Sequence, residues 1–65
     1  MGKVDELELI INGPKGGMDR RWAFGELCKA ARKGGPAGAK AYRIIGGIAR
    51  DPSDFLYRDA QHFIE

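Results

Sequence analysis

The most aliphatic helical face of the chain lies between residues 37 and 50. Its apolar residues recur at i, i+3, i+4 and i+7: Ala41, Ile44, Ile45 and Ile48. This spacing predicts an α-helix with one apolar side. Because the chain has few other aliphatic faces, we expect the remaining segments to fold over this helix.

Two adjacent glycines, Gly46 and Gly47, interrupt this predicted helix near its end. Together they cost it about 2 kcal/mol in helix propensity. We expect close approach of another backbone to explain them, with a kink as the alternative.

A second helix is predicted from Arg20 to Lys33, with Asp19 as its N-cap. Its apolar face contains Phe24, Leu27, Cys28 and Ala31. A cation, two glycines and a proline follow in residues 33–36, and this order is typical of a helix end.

A third helix is predicted to begin with Asp51 as N-cap, Pro52 at the first helical position and Asp54 in the first turn. An apolar stripe then runs to the end of the chain: Phe55, Leu56, Ala60, Phe63 and Ile64.

Two periodicities compete in residues 3–12. A strand would alternate Leu7, Leu9 and Ile11 with glutamates. A helix would place four apolar residues on one face: Val4, Leu7, Ile10 and Ile11. Helix-forming residues and the stop signal in residues 12–14 favour the helix, and a lone strand would have no partner within the chain.

We therefore predict a mainly α fold, a compact bundle of three to four short helices in one small domain spanning residues 1–65. A segment of strand at residues 3–12 is the alternative. The predicted core consists of Leu27, Ile44, Ile45, Ile48, Phe55, Leu56 and Phe63.

The charge is segregated along the 65 residues, although the net charge is only +2. Residues 1–14 carry −2, residues 15–50 carry +7 and residues 51–65 carry −3. The acidic ends either fold against the basic middle or leave it open to an acidic partner.

Composition points to a reducing compartment. One cysteine, Cys28, excludes an internal disulfide, and acidic residues occupy the positions where a signal peptide would be apolar. No apolar run approaches the roughly 20 residues that span a bilayer. We expect a cytoplasmic protein, and the small size leaves a homodimer open.

Candidate chemistry is sparse. Residues 13–17 resemble an anion-binding loop but lack the spacing of a P-loop, so a flexible turn is favoured. Cys28 lies on an apolar face and fits a core position, and His62, the only histidine, fits a surface position. We predict no catalytic residues, no metal site and no cofactor, and hence no enzyme.

Basic and aromatic residues outside the apolar stripes form the predicted partner-binding set. They are Arg21, Trp22, Lys29, Arg32, Lys33, Lys40, Tyr42 and Arg43. Tryptophan with basic neighbours is enriched at protein interfaces and also stacks on bases.

If residues 3–12 were a strand, the order strand, helix, helix would resemble a ribbon-helix-helix repressor. Glu6 and Glu8 would then present carboxylates to DNA, where that family presents basic or amide side chains. Residues 24–50 also allow a helix-turn-helix interpretation, with a long, glycine-rich turn at residues 33–38.

Two functions are therefore expected, in this order. The first is a small, non-enzymatic inhibitor or adaptor that binds a protein, of the kind that phages and mobile elements direct against host complexes. The second is a nucleic-acid-binding regulator that uses the basic middle segment.

Overall fold

A computed structural model describes residues 2–13 and 18–64. Within these residues the chain forms four α-helices and no strand: α1 (Lys3–Ile11), α2 (Met18–Lys33), α3 (Gly35–Ile48) and α4 (Tyr57–Ile64). The prediction of a mainly α bundle of short helices is confirmed, and the N-terminal segment adopts the helical alternative.

Helix α1 begins after Gly2, whose backbone N–H donates to the Asp5 carboxylate at 3.2 Å. Val4, Leu7 and Ile11 face inward at helical spacing, which settles the competition between the two periodicities. Leu9, on the opposite side, is 65% exposed. The helix ends at Ile11 and is capped by Asn12, whose N–H donates to the Glu8 carbonyl.

Helices α2 and α3 are joined by a tight glycine corner. Gly34 and Gly35 have φ angles of 80° and 74°, a region that residues with a side chain rarely adopt. α2 starts two residues earlier than predicted, so Asp19 lies in its first turn and is not its N-cap.

The close helix crossing occurs at Gly38. A Cβ placed there would lie 2.8 Å from the Ala30 carbonyl oxygen, so α3 rests directly on the backbone of α2. The prediction that Gly46 and Gly47 allow such an approach is wrong, because a Cβ at either would meet nothing within 4 Å.

The predicted start of the last helix is also wrong. Residues 51–56 form turns, and α4 begins at Tyr57. Asp51 accepts hydrogen bonds from the backbone N–H of Ser53 at 3.1 Å and from its hydroxyl at 2.6 Å. The side chain of Asp51 therefore stabilises a turn, and the helix begins five residues after Pro52, its predicted first position.

One hydrophobic cluster connects all four helices. Leu27, Ile45 and Leu56 are its largest fully buried side chains, and Ile48 is also buried, as predicted. Ile44 and Phe63 are only partly buried against the cluster. The core assignment of Phe55 is wrong, because its side chain is 48% exposed.

Candidate functional site

The outer side of α2 presents an exposed surface that we call the α2 face. It consists of Met18, Arg21, Trp22, Gly25, Lys29 and Lys33. Four of these residues follow at i, i+4, i+7 and i+11, so they line one stripe opposite the buried residues of the helix. Trp22, at the centre of the stripe, is 54% exposed.

Gly25 leaves the surface next to Trp22 bare. It lies one helical turn after the tryptophan, and a Cβ added there would meet nothing within 4 Å. A glycine at an interior helix position costs about 1 kcal/mol relative to alanine. No packing contact within the described chain accounts for this glycine, and the surface of α2 at this position is uncovered.

Two lysines on or beside the α2 face form ion pairs with a carboxylate. Glu26 pairs with Lys29 at 3.1 Å and with Lys3 at 3.5 Å. The hydrogen bond from Lys29 is the main cause that lowers the Glu26 pKa below its ordinary value. The bases therefore do not form an unbroken cationic stripe.

The acidic α1 lies against Lys40 of α3. Lys40 pairs with Asp5 and, at 3.4 Å, with Glu8. The Lys40 hydrogen bond, followed by that from the Gly2 N–H, lowers the Asp5 pKa, while the hydrogen bond to Asp5 raises the Lys40 pKa. The acidic N-terminal segment thus folds against the basic middle, one of the two arrangements that the charge pattern allowed.

The remaining predicted partner-binding residues lie elsewhere. The Arg32 guanidinium lies 5.4 Å from the ring centroid of Phe63, and this ring is 6.3 Å from that of Tyr42. These contacts group Arg32 and Tyr42 beside α4. Arg43 is exposed on α3. The predicted set is therefore distributed over the α2 face, the α1 contact and the α4 side.

The sequence analysis did not predict that Arg20 would be buried in an ion pair. Its guanidinium is buried and binds the Asp54 carboxylate through two hydrogen bonds, at 3.0 and 2.7 Å. Its Nε also donates to the Ile11 carbonyl at 2.9 Å. The available signal was its position, because Arg20 precedes Phe24 by four residues and so lies on the apolar face of α2.

Cys28, Asp59 and His62 border one cavity on the α4 side. Burial raises the pKa of the Cys28 thiol above its ordinary value of 9.0. The thiol therefore stays protonated near neutral pH and is a poor nucleophile. Within residues 2–13 and 18–64, no three His, Cys, Asp or Glu side chains are grouped so that they could hold a metal ion.

The anion-loop alternative for residues 13–17 falls almost entirely outside the described residues, which stop at Gly13 and resume at Met18.

No helix in the described part of the chain is both long and apolar enough to span a membrane. Comparisons with protein-family models, with curated proteins and with solved structures found no match.

Proposed function

We propose that this protein is a small, non-enzymatic inhibitor or adaptor that binds another protein through the α2 face. We place it in the cytoplasm, and a phage or mobile element acting on a host complex is the setting that we propose for it. The half-exposed Trp22, at the centre of the α2 face, is the observation that carries the proposal.

Tryptophan is among the residues that contribute most of the binding free energy at protein interfaces. Its large apolar side chain contributes most when a partner removes it from water. In this chain Trp22 is not part of the hydrophobic core, which is formed by other residues. Basic neighbours on the same face, Arg21 and Lys29, suit a polar rim around such an anchor.

The charge layout favours a protein over a nucleic acid. Phosphate binding gains from closely spaced, unopposed bases, but Glu26 pairs with two of the nearby lysines and α1 brings Asp5 and Glu8 to a third. A ribbon-helix-helix protein also needs an N-terminal strand, and this segment is α1.

Capture from a lysate of the native host, with and without nuclease, tests the proposal. We expect a protein to be retained by the full chain after nuclease treatment, and to be lost when Trp22→Ala replaces the wild type. Phe55→Ala is the matched control, since it removes an exposed aromatic side chain away from the α2 face. Loss of all bound protein on nuclease treatment would support the nucleic-acid function instead.

A further inference from the structure

A groove of about 460 Å³ runs between α1, the end of α2 and the start of α3. Its apolar lining residues, which we call the floor, are Val4, Leu7, Ala30, Pro36 and Ala37. Its basic lining residues, which we call the rim, are Lys3, Lys29, Lys33 and Lys40. We call it the lysine groove, and its volume falls within the range of about 300–1,000 Å³ that is usual for ligand sites.

The rim has more positive than negative charge. The four lysines face two lining carboxylates, Asp5 and Glu26, and Lys40 also contacts Glu8 at 3.4 Å, outside the lining. Glu26 is shared by Lys3 and Lys29, at 3.5 and 3.1 Å, so one carboxylate serves two cations. Within the described residues, Lys33 has no ion-pair partner, and it is exposed at the end of α2.

We infer that the lysine groove binds an acidic segment of the partner protein, with an apolar side chain of that segment on the floor and a carboxylate at Lys33. This inference rests on the proposed function and names the chemistry of the partner. Charge complementarity selects an acidic occupant, and the apolar floor selects one that also has an aliphatic side chain.

The position of the groove supports the same occupant. Lys29 and Lys33 belong both to its rim and to the α2 face, so a partner anchored on Trp22 has a continuous path into the groove. A second copy that paired groove to groove would bring a like-charged rim to this one, and like charges in contact oppose association.

A synthetic probe tests the inference without the natural partner. We would use a fluorescein-labelled peptide in which four glutamates alternate with three leucines, and two matched peptides with lysine for glutamate or serine for leucine. Fluorescence anisotropy would give the affinity, and amide chemical shifts of the full ¹⁵N-labelled chain would locate the site.

We expect the glutamate–leucine peptide alone to bind well, with shifts centred on Ala30, Lys33 and Ala37. Lys33→Ala should weaken binding roughly tenfold through loss of a charge-assisted contact, and Ala37→Phe should weaken it by filling the groove. Arg58→Ala, which removes an exposed base on α4, outside the groove and outside the predicted partner-binding set, should leave the affinity unchanged. Circular dichroism would verify that each variant is folded.

Equal affinity for all three peptides, shifts centred outside the groove, or no shifts at millimolar peptide would overturn the inference. Groove shifts that grow with protein concentration in the absence of peptide would assign the groove to a second copy and would also overturn it. Trp22→Ala separates the two proposals: it should abolish capture from lysate but leave peptide affinity intact.

Discussion

The Arg20 guanidinium and the Asp54 carboxylate form a two-point ion pair in which the residues are only 3% and 7% exposed. Arg20 also binds the last residue of α1 through the Ile11 carbonyl, and Asp54 accepts the N–H of Leu56 at 3.0 Å. One pair therefore joins α1, α2 and the turn that leads into α4.

Removal of one member of this pair should be strongly destabilising. Asp54→Ala leaves a buried guanidinium without its carboxylate, and such changes cost about 3–5 kcal/mol. Urea unfolding followed by circular dichroism would measure the loss. Asp59→Ala, at an exposed position, should change stability by no more than about 0.5 kcal/mol. Equal effects of the two variants would contradict the account of the pair.

The glycines should respond to alanine in opposite directions. Gly38→Ala would press a Cβ against the Ala30 carbonyl and should cost about 1–3 kcal/mol. Gly25→Ala and Gly46→Ala have open space and should stabilise the helices by about 0.5–1 kcal/mol each. Thermal melts of the three variants decide this, and a stabilising Gly38→Ala would show that α2 and α3 are less tightly packed.

Two apolar residues that the sequence assigned equally to the core should behave differently. Ile45→Ala removes a fully buried side chain and should cost about 2–5 kcal/mol. Phe55 is half-exposed, with the Arg20 guanidinium 5.4 Å from its ring centroid, so Phe55→Ala should cost only about 0.5–1 kcal/mol. Urea midpoints that fall in the reverse order would contradict the packing.

Periodicity was sufficient to predict the helices and most of the core, because a helical face is a local property of the sequence. It was insufficient at Phe55, where the turns of residues 51–56 change which side faces inward. The tight contact at Gly38 depends on how two helices cross, and sequence reasoning had assigned such a contact to Gly46 and Gly47 instead. The exposure of Trp22 and Lys33 followed from the helical wheel, whereas the lysine groove required three helices in place.

Acid should reduce stability through the paired carboxylates. Lys29 and Lys40 hold the folded-state pKa values of Glu26 and Asp5 below their ordinary values of 4.5 and 3.8. The folded state therefore binds fewer protons, and the stabilisation that is present above these values is lost as the pH falls through the folded-state pKa values.

Thermal melts at pH 6 and pH 3 would measure this effect. The Tm of the wild type should exceed that of a variant with Asp5→Asn and Glu26→Gln at pH 6, and the difference should shrink at pH 3. A Tm difference that is the same at both pH values would show that these ion pairs do not contribute to the acid response.

The central claim is that Trp22 anchors a protein partner. The most direct test is to measure the affinity of the captured partner for wild type, Trp22→Ala and Phe55→Ala at two salt concentrations. We expect Trp22→Ala to lose about 2 kcal/mol or more, roughly thirtyfold, with Phe55→Ala near wild type and only a modest effect of salt. A log–log salt slope near −0.9 for each phosphate contacted, with binding abolished by Arg32→Ala and Lys33→Ala but indifferent to Trp22→Ala, would contradict the claim.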